Sequence, residues 1–128
     1  MFFFGIGIFG SLVAQKSNPV TERLLEKYNL LIAAEKNQDT LFALTVELED
    51  SLEGKNLYLA IEYSQKALQL AKELNKPRFI IRELTSLGGY HLDIGEYGKS
   101  MQYYVDSYSY ASEIKDKKFI GGALNNIG

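Results

Sequence analysis

The feature that most limits what this chain can fold into is a repetition at forty residues. Laying residues 60–88 over 100–128 gives seven identities in twenty-nine positions: Tyr63/Tyr103, Ala71/Ala111, Glu73/Glu113, Phe79/Phe119, Ile80/Ile120, Leu84/Leu124 and Gly88/Gly128. Ordinary composition gives about two such matches by chance. Apolar positions keep their character where identity is lost, as in Ile61/Met101, Leu74/Ile114 and Leu87/Ile127. A period in this range with helical patterning marks an array of stacked units, none of which can bury its apolar face alone.

The apolar spacing predicts helix, turn, helix throughout. Ser17-Asn18-Pro19 is a start signal, a capping side chain just ahead of a proline. Leu24, Leu25, Tyr28, Leu31 and Ile32 then recur at three- and four-residue steps, and this helix should run to about Lys36. Asn37-Gln38-Asp39 makes the break, with Asp39 or Thr40 as the next cap. Leu41, Leu44, Leu48 and Leu52 carry a second helix to Gly54, a C-terminal stop. Asn56 caps a third, with Leu57, Ala60, Ile61, Ala67, Leu68, Ala71 and Leu74 inward, and Pro77 suits the first turn of a fourth. There Ile80, Leu84, Leu87, His91 and Ile94 share a face, and Gly95 closes the helix. Glu96 to Ile114 forms a fifth, with Tyr97, Met101, Tyr104, Tyr108 and Ala111 toward the packing and Tyr103 and Tyr110 pointing elsewhere. No stretch alternates with period two long enough to argue a strand, so the fold class is all-α.

Residues 1–14 differ in kind. Met1 to Ala14 carries no charged side chain and is too short to cross a bilayer as an ordinary helix. It looks like the apolar core of a secretory signal followed by small residues, with cleavage after Ala14, although no basic stretch precedes it. The alternative is a segment that packs as a buried helix, against which Gly5, Gly7 and Gly10 weigh. Export implies a periplasmic or membrane-anchored protein with its repeats outside the cytoplasm; a buried lead helix implies a cytoplasmic one.

The remaining composition removes whole classes of function. The 128 residues hold no cysteine, which excludes disulfides, thiolate zinc sites and a cysteine nucleophile. Fourteen basic residues against sixteen acidic ones leave a net charge of −2 without a basic stripe, which argues against nucleic acid. His91 is the only histidine and reads as a packing residue with one ring nitrogen satisfied, not a metal or catalytic group. Asp93 and Glu96 read as helix-end charges. Gly88-Gly89 lacks the spacing of a phosphate loop and reads as close helix contact. We expect no enzyme, no metal and no cofactor in this segment.

These motifs resemble the tetratricopeptide repeat, in its longer variety near forty residues. The large apolar residue, leucine, small residue and aromatic of that family's first helix correspond here to Leu84, Leu87, Gly88 and His91. The glycine, aromatic and two small residues that follow correspond to Gly95, Tyr97, Ser100 and Ser107. Leu124 and Gly128 open a further unit, and Ala60 and Ala67 hold the small positions of the preceding one. That preceding unit departs in its first helix, with Leu48 and Ser51 at the small and aromatic positions and Gly54 shifted by one. The resemblance covers about residues 40–128 and implies a right-handed α-solenoid of antiparallel helix pairs. Its layout is an apolar segment 1–14, a leading helix within 15–39, and units at 40–77, 78–117 and from 118. At least three units are normally needed, so two and a quarter suggest a fragment of a longer array, whose open end could self-associate.

The resemblance implies a surface that holds a protein or peptide, as in the sensory part of exported bacterial signalling proteins. The alternative is an intracellular adaptor or chaperone-type clamp for acidic peptide ends, for which Arg82 and Asn125 could serve; Glu49, Glu53 and Asp93 lying among them argue against it. In such an array the first helices line the inner curve. The expected groove residues are Thr45, Glu49, Arg82, Thr85, Ser86, Gly89 and Asn125. Tyr103 and Tyr110 are a second candidate surface, as exposed tyrosines make good anchors. Export has a direct check: expressed with its native upstream region, the mature chain should begin at Gln15, and an intact Met1 on a cytosolic protein would reject the signal.

Overall fold

A computed structural model describes residues 18–34, 37–114 and 126–127. Five helices follow one another: α1 (Pro19–Ala34), α2 (Gln38–Leu52), α3 (Leu57–Glu73), α4 (Pro77–Asp93) and α5 (Tyr97–Glu113). Residues 126–127 are also helical, the other described residues are turns and connectors, and none forms a strand. The fold is all-α. The apolar lead Met1–Ala14 lies outside the described residues, as do Leu124, Asn125 and Gly128. No described helix is long and apolar enough to cross a membrane.

The forty-residue period has a simple local origin. Helices α3, α4 and α5 are each 17 residues long. They begin at Leu57, Pro77 and Tyr97, so one helix and its connector take twenty residues and a pair takes forty. Both connectors use one stop. After α3, Asn75 adopts the left-handed conformation at φ 51° while Lys76 N donates to Ala71 O and Asn75 N to Lys72 O. After α4, Gly95 does so at φ 83° while Glu96 N donates to His91 O and Gly95 N to Leu92 O. These paired bonds satisfy the last carbonyls and reverse the chain within three residues. The α2–α3 connector is longer by one. Lys55 N donates to Leu52 O around Glu53 and Gly54, a turn that needs a positive φ at Gly54, here 73°. The extra residue accounts for the one-place shift of Gly54 against Gly95.

Helix starts follow the capping chemistry with one correction. Asn56 caps α3 by accepting from Leu59 N. The α2 cap is Asn37, not Asp39 or Thr40; its side chain accepts from the amides of those two residues. Asn37, Asp39 and Thr40 could each have served; the helix begins at Gln38, which puts Asn37 at the cap.

Short connectors make sequential helices antiparallel neighbours. Thr85 meets Ser107 and Gly88 meets Tyr104, so positions rise along α4 as they fall along α5. Helices two apart also touch. Tyr28 of α1 packs edge-on against Tyr63 of α3 at 5.3 Å between centroids, and Phe42 of α2 against Phe79 of α4 at 4.9 Å. Towards the other end of α2, Glu49 bonds Tyr90, so α2 and α4 run in the same direction. Two apolar clusters fill the interior. One gathers Leu25, Tyr28, Leu48, Tyr63 and Leu87 with their neighbours. The other centres on Phe42, Ala67, Ala71, Ile80 and Leu84.

Three expectations about helix faces need correction. Ile32 is exposed, together with Val20 and Leu30 on the same helix. Tyr97 and Met101 also stand outward, Tyr97 at 69% exposure. The face of α5 turned to α4 carries Ser100, Tyr104, Ser107 and Ala111 instead, mostly small side chains that bring the helices close. Tyr103 and Tyr110, expected to point away, are half-buried against the apolar clusters.

Gly88 is where closeness is most demanding. A Cβ there would sit 2.6 Å from the Tyr104 ring. Gly88→Leu should cost about 1–3 kcal/mol through overpacking. Adding Tyr104→Ala should recover part of that loss, read by urea unfolding of both variants; equal stability of parent and Gly88→Leu would contradict this contact.

Candidate functional site

Helices α2, α3 and α4 bury mostly apolar side chains; the fully buried polar ones are Thr45, Glu49, Ser64 and Glu83. In α4 the buried stripe Ile80, Leu84, Leu87 is interrupted by Glu83, and in α2 the stripe Leu44, Leu48, Leu52 by Glu49. Both acids are fully buried, at 0% exposure. An isolated ion there would cost several kcal/mol, so each must find partners.

The partners come from three helices. Tyr90 of α4 donates its hydroxyl to Glu49 Oε1 at 2.8 Å, and Ser64 of α3 donates to Glu83 Oε2 at 2.9 Å. Arg82 Nη1 donates to Glu83 Oε1 at 2.6 Å and lies 3.5 Å from Glu49 Oε2. Its Nη2 bridges to Asp50, which is solvent-exposed. Glu49 Oε2 has no hydrogen-bond donor among the described residues.

Protonation follows from this crowding. Burial, then the neighbouring Glu49 carboxyl, push the Glu83 carboxyl up to about 8, against the pull of Arg82 and Ser64. Burial works against the Arg82 charge. Glu83, Glu49 and Asp50 outweigh it, so the guanidinium is held charged more firmly than usual. Burial and the bond to Glu49 keep Tyr90 a neutral donor.

The expected groove residues fall into separate places. Thr45 is fully buried and donates back to Leu41 O within its helix, so neither it nor Glu49 offers an atom to a groove. Thr85 donates to Ile81 O and meets Ser107 of α5, which turns it toward the α4–α5 seam. Gly89 also faces that seam, 3.6 Å from Tyr104 Oη when a Cβ is added. Arg82 and Ser86 remain half-buried, and Arg82 is engaged by three acids. Asn125 lies outside the described residues.

Among the repeat positions, Ala60, Ala67 and Leu87 are fully buried, and Leu84, Gly88 and Ser100 are buried. His91 is buried and stacks on Tyr103 at 5.3 Å with 13° between the planes. Neither ring nitrogen makes a hydrogen bond among the described residues, in contrast to the one satisfied nitrogen expected; Nδ1 stands 3.6 Å from Glu96 Oε1. Glu96 itself is tied to Lys99 at 2.7 Å, which with the histidine holds its carboxyl below the usual range. No cluster of histidines and acids with metal-binding geometry occurs among the described residues. A separate cleft of about 430 Å³ opens between α1 and α2, lined by Leu30, Leu31, Ala43 and Leu44 with Lys27 and Glu47.

Asp50, Ser64, Glu83 and Tyr90 escaped the sequence pattern. For Glu83 the signal was spacing: it lies three residues after Ile80 and four before Leu87, as Glu49 lies four after Thr45. An acid at such positions sits on the buried stripe and needs partners. The sequence matches no protein-family model and no curated protein.

The raised Glu83 carboxyl links stability to pH. Below about 4.5, the ordinary value, folded and unfolded chains both carry its proton. Between there and about 8 only the folded chain does. This site's contribution to stability is therefore complete in acid and falls with rising pH across that window, by at most ~1.4 kcal/mol per pH unit. Urea unfolding from pH 5 to pH 9 should reveal the fall, and Glu83→Gln should remove it. An identical pH profile in the variant would reject the assignment.

Proposed function

We propose that the chain is a stretch of a right-handed tetratricopeptide-like solenoid, and that it holds a protein or peptide along the surface shared by α2 and α4. The observation that carries this is their side-by-side, parallel placement. The first helices of successive units in such an array must lie this way, and α1 and α3 meet as second helices would, through Tyr28 and Tyr63. The repeated twenty-residue helix spacing supports the same geometry.

On that surface the accessible groups are Asp50, Arg82 and Ser86, a mixed polar set suited to the backbone of an extended peptide. Arg82 is already paired with Asp50 and Glu83, which disfavours the clamp for acidic peptide ends. In the intact protein this stretch serves as the sensory or interaction part of a longer bacterial signalling chain, with catalysis, where there is any, elsewhere.

Selection from a displayed peptide library tests the surface. Peptides that bind the parent should lose about tenfold in affinity, ~1.4 kcal/mol, with Ser86→Arg. They should bind Gln65→Arg unchanged, since that exposed position lies on α3. Equal loss in both variants, or loss in Gln65→Arg alone, would move the interface off the α2–α4 surface.

A further inference from the structure

Four carboxyl oxygens meet at the α2–α4 contact, and three have donors. Tyr90 serves Glu49 Oε1, Ser64 serves Glu83 Oε2, and Arg82 Nη1 serves Glu83 Oε1. The fourth, Glu49 Oε2, is buried without one. A single proton on the pair supplies the missing donor. It also balances the buried charge, leaving one carboxylate against one guanidinium. Without it, two buried carboxylates from different helices press on the same Nη1, and like charges at such range repel strongly in a poorly solvated site.

We propose that a proton shared by Glu49 and Glu83 locks α2 to α4, and that its release as pH rises parts these two helices. The surrounding charges leave no substitute for it. From α2 the pair is faced by Asp50 and, beside Tyr90, by Glu53; from α3 by the neutral Ser64; from α4 by Arg82 and Tyr90. Arg82 is the one cation among these groups and already serves three acids. The tilt of the Glu83 equilibrium toward its neutral form agrees with this charge count. The device is local. Forty residues on from Glu49 and Glu83 stand Gly89 and Ala123, so the acid pair is no part of the repeating packing pattern. It acts whether or not the α2–α4 surface takes a partner.

The absence of cysteine makes the test clean, because labels attach only where cysteines are introduced. Spin labels at Glu47→Cys on α2 and Leu92→Cys on α4, both exposed positions, read the interhelix distance from pH 5 to pH 10. Carbon-13 carboxyl shifts of Glu49 and Glu83 in the unlabelled chain read the proton. One carboxyl should titrate well above the usual carboxylate range. Over that same range the label distance should lengthen reversibly, with helicity retained. In a Glu83→Gln background the amide replaces the proton as donor to Glu49, so the distance should stay short at every pH. Both carboxyls titrating in the usual range would overturn the proposal. So would a constant distance while the pair titrates, equal lengthening in the Gln variant, or loss of helicity in step with it. Should the Gln variant fail to fold, the parent's carboxyl titration and label distance still decide.

Discussion

Everything in this fold depends on contact between helices two apart in sequence. A 17-residue amphipathic helix packed on one neighbour leaves much of its apolar flank in water, and a single antiparallel pair is marginal for that reason. Here Tyr63 is covered from α1, and Leu87 and Tyr90 join the cluster that holds Leu48 and Leu52 of α2. Those contacts turn a run of hairpins into one body. Small residues serve the contacts between sequential helices as well: Ala60, Ala67, Ala71, Ser100, Ser107 and Ala111 are all buried, and Gly88 of α4 admits the Tyr104 ring of α5.

The same dependence explains part of the apolar surface that remains. Val20, Leu30 and Ile32 on α1, and Tyr97, Met101 and Val105 on α5, lie on the two outermost described helices. The central helices α2, α3 and α4 have flanks on both sides and bury most of their stripes. Large apolar side chains also stand outward on the central helices, Tyr58 on α3 at 73% exposure and Phe79 and Leu92 on α4.

Helix number and ends were legible because they are set by local chemistry. Pro19, Pro77, Asn56, Gly54 and Gly95 each mark a boundary by a conformational property of their own. The side facing inward was less legible on α5: Lys99, Gln102, Asp106, Ser109 and Glu113 mark a polar face, but Tyr97, Met101, Tyr103, Tyr104, Val105, Tyr108 and Tyr110 spread around the rest of the helix. Steric fit chose among them: Tyr104 entered the space at Gly88, and Tyr103 stacked on His91. The expected groove lost Thr45 and Glu49 because helical spacing fixes an angle around the axis, while burial also depends on how closely α4 lies beside α2. The buried acids were hidden for a related reason. A lone carboxylate reads as solvated until its distant partners, Tyr90 forty-one residues from Glu49 and Ser64 nineteen from Glu83, are brought to it by the fold.

A polar knot of this kind is an expensive way to join two helices, and apolar side chains of similar volume often do as well or better. What it adds is directional: the Tyr90–Glu49 and Arg82–Asp50 hydrogen bonds tie α2 to α4 at set positions, where leucines would tolerate several registers. The most direct test of the account is whether helices two apart touch in solution. Ring-to-ring nuclear Overhauser effects between Tyr28 and Tyr63 and between Phe42 and Phe79 report this, since each pair lies about 5 Å apart between centroids. Both cross-peaks should be present in the native chain. Cross-peaks confined to sequential helices, with neither of these two, would contradict the stacked arrangement.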